Sequence, residues 1–407
     1  MPSLKQTLTW AVAAAALAIA TPVDTKVGTL SLNQEPNPKF EGKSGLHAMV
    51  KVFRKYGKPL PETLAAALAN ATASVTRRDG SAVTTPEAQD TEYLTPVQIG
   101  TPPVTLNLDF DTGSSDLWVF SSDLSASLRS GHSFYTPSKS STSSKQSGQT
   151  WSIKYGDGSG ASGNVYSDVV SIGGVKFASQ AVETASKIST QFTQDTDNDG
   201  LVGLAFSSIN TVSPKKQKTF FDNVKNSLTK PIIGVNLKAG APGSYDFGFA
   251  NTNSYTGSIA YVPVDSSQGF WSFTASGYSI GSSSSRTQLT GIADTGTTLL
   301  LLPPSVVNAY YKQVRGAVND NSAGGFVFDC NANLPTFSFN VGSNTITIPG
   351  SIMNFAPVGD GSNNCFGGLQ VDTGIGLSIF GDIALKAAYV VFDNSPSPRL
   401  GWANKNL

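Results

Sequence analysis

Two copies of the tripeptide Asp-Thr-Gly, at 111–113 and 294–296, carry the first chemistry legible in this chain of 407 residues. Each is entered through apolar residues, as "LNLDFDTG" and "GIADTG", and is followed by small hydroxyl residues. One Asp-Thr-Gly alone is an ordinary turn in which Asp accepts local hydrogen bonds. Two suggest a pair. If Asp111 and Asp294 face each other, like charge raises the proton affinity of one, and the pair holds a single proton at acid pH. The ionised member then takes a proton from water while the protonated member hydrogen-bonds the carbonyl oxygen under attack. Later proton transfer to the leaving nitrogen completes C–N cleavage. That chemistry needs no metal, no serine nucleophile and no cofactor.

The neighbours have separable expected roles. Thr112 and Thr295 tie the two loops together beneath the carboxylates, and Gly113 and Gly296 keep each loop open and donate backbone N–H groups. Ser114 and Thr297 orient the outer carboxylate oxygens. Asp109 lies on the same side of its strand as Asp111 by alternation; it reads as a structural acid, because Asp111 alone begins the tripeptide. Ninety residues after Asp111 comes Leu201-Val202-Gly203, and 85 after Asp294 comes Ile379-Phe380-Gly381. One apolar-apolar-Gly run is uninformative. Its paired placement predicts one such run under each Asp loop, with glycine admitting close backbone approach.

Strands must position these groups. Short alternating apolar runs are punctuated by 40 Gly and 22 Pro, as in "YLTPVQIGTPPVTLNLDFDTG". The stretch "WSIKYGDGSGASGNVYSDVVSIGG" reads as a hairpin turning at Asp157-Gly158. Short helices are expected around "SVVNAYYKQVRG" and "LKAAYVVFD", the latter soon turning to strand. Trp151, Trp271 and Trp402 read as packing residues. The phrase "DTDNDG" starts like a calcium loop, but the twelfth position from Asp195 is Phe206 and no bidentate acid stands there. His47 and His132 are the only histidines, so a His-dependent zinc site is not expected.

With 39% hydrophobic and 14% charged residues, the chain can build large cores, expected in two lobes. Lys5 precedes an apolar run ending Ala18-Ile19-Ala20, which reads as a signal peptide over 1–20 rather than a buried helix. Nothing later reads as a membrane span, so the product is expected to be soluble, secreted and extracellular. In that oxidising setting Cys330 and Cys365 are expected to form a disulfide. Residues 1–78 carry ten Lys/Arg against four Asp/Glu, and residues 79–407 carry eighteen against twenty-four. A basic leader over 21–78 on an acidic body reads as an electrostatically docked inhibitor, with Lys55 and Tyr56 of "FRKYGK" as the candidates for the carboxylates. Acidification would weaken that attachment. Arg77-Arg78 marks a removable junction, and Asn70-Ala71-Thr72 is a glycosylation sequon within the removable part. No basic arm suggests nucleic acid.

These motifs together resemble the pepsin-like aspartic proteases, closely the secreted fungal members. The resemblance covers nearly all of 90–407, through "DFDTGSSDLWVF", "YGDGS", "DTDNDGLVGLAF", "ADTGTT" and "IFGDIALKAAYVVFD". It implies an all-β, bilobal fold with pseudo-two-fold lobes, drawn at 79–265 and 266–407, and a substrate cleft between them. It also implies a flap over "KYGDGSG": Tyr155 covers the cleft and bonds Trp118, while Gly156 and Gly158 keep the hairpin mobile. Asp157 resembles the flap acid of members that accept Lys before the cut, added to a preference for large apolar residues. Ser159 and Thr298 are placed near substrate by the same similarity. A monomer is expected, since one chain supplies both halves of the site. The rival readings are a noncatalytic peptide-binding or inhibitor protein on the same fold and a carbohydrate-binding β protein. Loss of either Asp would favour the first; the second leaves the spaced acids unexplained.

Overall fold

The computed structural model describes residues 29–33, 35–36, 44–75, 93–154, 160–193, 195–359 and 361–407. The apolar run 1–20, the Arg77-Arg78 junction and the hairpin tip with Tyr155, Gly156, Asp157, Gly158 and Ser159 lie outside the described residues. Strands dominate, arranged as two β lobes and a sheet that joins them.

In the first lobe, strand Val104–Asp111 belongs to an eight-stranded sheet, between Tyr93–Ile99 and Gly200–Gly203. Alternation shows in its burial: Leu106, Leu108 and Phe110 are sealed in the core while Thr105 and Asn107 are exposed. Burial of each such apolar side chain contributes about 1.5–3 kcal/mol. Gly200–Gly203 runs parallel to Val104–Asp111 and antiparallel to Leu117–Val119. The second lobe repeats this unit. Ser378–Phe380 runs parallel to Leu289–Ala293 and antiparallel to Leu300–Leu302. Each apolar-apolar-Gly run therefore lies beside the strand that leads into an Asp loop. Its glycine is obligatory there. A Cβ at Gly203 would stand 2.5 Å from the Ser115 Cα, and one at Gly381 would stand 2.2 Å from the Thr297 carbonyl oxygen.

The joining sheet has six strands, in the order Leu30–Asn33, Ser244–Phe247, Ile232–Asn236, Ala388–Asp393, Arg399–Asn404, Thr256–Pro263. It draws on the leader and on both sides of residue 265. Trp402 and Phe392, from its own strands, pack with Trp271, Phe273 and Phe380, and Trp151 packs with Trp118 in a separate cluster of the first lobe. Short helices occur at Pro304–Tyr311 and Asp382–Leu385, the latter giving way to strand Ala388–Asp393. Cys330 and Cys365 are disulfide-bonded, closing a separation of 35 residues.

The leader folds too. Ser44 caps helix Gly45–Lys55 by accepting from the His47 N–H, and Leu46, Met49, Val50 and Phe53 form its buried stripe. The helix stops where Gly57 takes a left-handed φ of 62°. The Gly57 N–H then reaches the Arg54 carbonyl and the Lys58 N–H the Phe53 carbonyl, at 3.0 and 2.9 Å. That cap sets Lys55 and Tyr56 at the helix end. Asn70 is exposed on the second leader helix, Glu62–Val75.

Candidate active site

Asp111 ends strand Val104–Asp111, and Asp294 directly follows strand Leu289–Ala293. Two strand ends thus deliver two carboxylates, at 2% and 0% exposure, to one place. Around each, the hydrogen bonds repeat. The Gly113 N–H donates to Asp111 Oδ1 at 2.7 Å and the Gly296 N–H to Asp294 Oδ1 at 3.0 Å. Ser114 Oγ donates to Asp111 Oδ2 at 2.6 Å, and Thr297 Oγ1 to Asp294 Oδ2 at 2.5 Å. The glycines have a second purpose. A Cβ at Gly113 would fall 2.5 Å from Asp294 Oδ1, and one at Gly296 would fall 2.4 Å from Asp111 Oδ1. Each carboxylate occupies the volume that a side chain on the opposite loop would fill.

Beneath them the threonines cross. The Thr112 N–H donates to Thr295 Oγ1 and the Thr295 N–H to Thr112 Oγ1, both at 3.0 Å. Thr112 Oγ1 donates onward to the Ala293 carbonyl at 2.9 Å, and Thr295 Oγ1 to the Phe110 carbonyl at 2.6 Å. All of these groups are buried, so an isosteric Thr295→Val change orphans the Thr112 N–H and leaves the Phe110 carbonyl to Tyr245 OH alone. The orphaned N–H costs about 1–3 kcal/mol. The midpoint of urea unfolding should fall accordingly, and Thr295→Ser should restore most of it; an unchanged midpoint in the valine variant would remove the clamp from the account.

The leader's Lys55 enters between the acids. Its Nζ lies 2.6 Å from Asp111 Oδ1 and 2.7 and 2.9 Å from Asp294 Oδ1 and Oδ2. Tyr56 OH donates to Asp294 Oδ2 at 2.5 Å. Burial works against the Lys55 ammonium, but Asp111 and Asp294 more than compensate and raise its proton affinity. Burial pushes both carboxyls up. For Asp294, Lys55 and the hydroxyls of Thr297 and Tyr56 overcome this and hold it down to about 2. For Asp111, burial and the negative Asp294 outweigh Lys55, and its proton affinity is raised. With Lys55 in place, the two acids are driven apart in one setting. Tyr56, pushed up by burial and then by both acids, remains a phenol and a donor.

A cavity of about 510 Å³ opens beside the pair, lined from the body by Trp118, Phe192, Leu201, Phe270 and Thr298 among others. Asp109 lines it too and is buried. The Trp118 indole N–H is buried with no acceptor among the described residues, and the strands Ser144–Lys154 and Gly160–Ile172 pair through Lys154 and Gly160. The tip between them holds Tyr155, Gly156, Asp157 and Ser159, outside the described residues. The acids of "DTDNDG" include Asp199, whose carboxylate accepts the Asn107 and Ser133 N–H groups at 3.0 and 2.8 Å. Sequence reasoning passed over Asp116 and Glu183, which are buried and both accept from Asn210 Nδ2 beside the Asp111 loop. Their signal was an acid set inside apolar runs, in "SSDLWVF" and "QAVETA".

Comparison with known proteins is consistent along the chain. Residues 92–405 match the family model described as eukaryotic aspartyl protease. The chain is 55% identical to endothiapepsin of Cryphonectria parasitica over 381 residues, covering 93% of this chain and 91% of that protein. It is 55% identical to penicillopepsin-2 of Penicillium janthinellum over 394 residues, 96% of each chain. It is 57% identical to aspergillopepsin-1 of Aspergillus oryzae over 384 residues, 94% of this chain and 95% of that one. Among solved structures, the aspartic proteinase of Irpex lacteus superposes with a TM-score of 0.64 at 28% identity, over 78% of this chain and 95% of that chain.

Proposed function

The chain belongs to the eukaryotic aspartyl protease family and is an aspartic endopeptidase; on that premise we propose that its body hydrolyses extended peptide segments at acid pH through one water between Asp111 and Asp294, and that the leader holds it latent until then. The observation that carries this reading is reciprocal: each carboxylate is fixed by its own loop's hydroxyl and N–H and seated against the other loop's glycine. The ionised carboxylate removes a proton from the water as oxygen attacks the peptide carbon. The protonated one donates to the carbonyl oxygen, and the resulting diol collapses with proton delivery to the departing nitrogen. Closure of the 155–159 hairpin, with Tyr155 toward Trp118, would hold the peptide as an added strand and exclude bulk water. Cleavage of a denatured protein at acid pH, blocked by a hydroxyl-bearing transition-state-like peptide, is the expected result. Cleavage indifferent to that peptide would sink the mechanism.

The maturation scheme follows from the charge asymmetry and the Lys55 contacts. Residues 1–20 direct export, 21–78 form the inhibitory leader, and lobes over 79–265 and 266–407 make a monomeric, extracellular enzyme. The Cys330–Cys365 disulfide suits that compartment, and among the described residues no helix is long and apolar enough to cross a membrane. Substrate preference is for large apolar residues, with Lys tolerated before the cut through Asp157. Asp157→Asn should lower cleavage after Lys at least about tenfold relative to cleavage after Phe, the scale of one charge-assisted hydrogen bond. Equal losses on matched Lys and Phe peptides would discard the assignment.

A further inference from the structure

A second pair of acids is buried against the first catalytic loop, and the dyad makes no use of it. Asp116 closes the loop that begins at Asp111 and is 2% exposed; Glu183, in strand Val175–Ile188, is 1% exposed. Each carboxyl bears on the proton affinity of the other. Asn210 Nδ2 reaches both, 2.8 Å from Asp116 Oδ1 and 2.9 Å from Glu183 Oε1, and the Thr211 N–H and Oγ1 donate to the same Asp116 oxygen. Glu183 Oε2 is buried with no donor among the described residues. Two carboxylates sharing one donor, away from solvent, repel strongly. A single proton removes the repulsion and gives the idle oxygen an occupation, because a neutral Glu183 carboxyl donates and Asp116 accepts.

The surrounding contacts bear on the backbone that carries Asp111. Asn210 Nδ2 also donates to the Ser115 carbonyl at 3.1 Å, and the Asp116 carbonyl accepts from the Gly203 N–H at 2.8 Å. We propose that Asp116 and Glu183 share one proton at the working pH and act as a positioning pair for the Asp111 loop, and that loss of this proton sets the upper pH limit of the intact cleft. Burial raises both groups, Glu183 well above its ordinary 4.5, and Glu183 is raised further by the charge of Asp116. Lys216, which donates to the Asn210 carbonyl at 2.9 Å, pulls Asp116 back down. The cavity side adds acids from the body (Asp109, Asp111, Asp195) and bases from the leader (His47, Lys51, Arg54, Lys55). An acid whose proton affinity rises on folding stabilises fully below its ordinary value, and that contribution is lost as pH rises through the raised value.

The inference rests on Asp111 belonging to the dyad, so its test includes a readout that needs no cleavage. In mature enzyme, Glu183→Gln supplies a permanent donor and acceptor of the same shape. The alkaline midpoint of unfolding, followed by tryptophan fluorescence, should move up by about one pH unit, and the upper limb of the activity profile should move with it. Glu183→Ala should lose activity on the acid side as well, and Gln should restore it. Coincident profiles for wild type and Glu183→Gln would overturn the proposal, as would a fluorescence shift that leaves the activity limb in place. Should the glutamine variant fail to accumulate, carboxyl-carbon NMR of the wild type decides: one of the two groups retaining its proton near pH 6 supports sharing, and ordinary titration of both overturns it. Failure of the dyad itself would appear separately, as activity retained in Asp111→Asn.

Discussion

Asp111→Asn and Asp294→Asn are each expected to lower cleavage of a denatured protein by about 10³-fold or more at every pH, within the range that acid–base catalysis spans. Asparagine matches the shape of the carboxyl and keeps the loop's N–H and hydroxyl contacts, so the cleft should survive and still bind the hydroxyl-bearing peptide. What disappears is proton transfer. The amide can neither take the water's proton nor pass one to the leaving nitrogen. Because the two carboxyls act as one unit, the double variant should be little worse than either single one, a non-additivity that independent contributions would not produce. The measurement is kcat against pH for both singles and the double, with peptide binding as the check on folding. Activity within tenfold of wild type in either single variant would dislodge the dyad.

Lys55→Met should have the next largest consequence, on latency. In the wild-type precursor, Lys55 satisfies two carboxylates that are almost wholly removed from solvent. The Asp294 carboxyl is depressed, so its share of stability is complete above its ordinary 3.8 and lost as pH falls toward about 2. Asp111, shifted upward, takes its proton first. Acid therefore dismantles the contact one carboxyl at a time. Methionine fills a similar volume but leaves both acids unpaired, a loss of about 3–5 kcal/mol when one partner of a buried ion pair is removed. That corresponds to about two to four orders of magnitude in the docking equilibrium. Uncleaved Lys55→Met precursor should consequently bind the hydroxyl-bearing peptide at pH 7, where wild type does not, and should convert without acidification. A variant precursor as silent as the wild type would move the source of latency elsewhere.

The dyad was legible because its constraints are local. Asp-Thr-Gly writes the acid, the crossing hydroxyl and the vacant Cβ position into three consecutive residues, and the separations of 90 and 85 residues repeat the strand beside it. The β architecture was readable from alternation in runs such as 104–111. Other features had no such local signature. Asp116 and Glu183 stand 67 positions apart; the apolar run around each hints at burial, but no period or motif joins the two. Helix Gly45–Lys55 did leave a pattern, with apolar residues at 46, 49, 50 and 53, but its charge is more conspicuous than its stripe. The pairing of Leu30–Asn33 with Ser244–Phe247 was invisible, since a four-residue strand carries too few alternations to declare its partner.

The sheet that joins the lobes also imposes an order in time. Its strands come from residues 30–33, 232–263 and 388–404, so the sheet is closed only once 388–404 have been made. At about 5–20 residues per second, ribosomal synthesis of such a chain takes roughly 20–80 s. While residues 237–387 are being made, the edge of Ile232–Asn236 that will receive Ala388–Asp393 has no partner. Pairings so distant in sequence are slow to form even in a finished chain. The leader's short strand is the exception, since it emerges first and is present when Ser244–Phe247 appears. A chain stopped after Asp393 and before Arg399 would keep both aspartates and lose the strand that bridges Ala388–Asp393 to Thr256–Pro263. Its chemistry would be fully encoded and have no foundation to stand on.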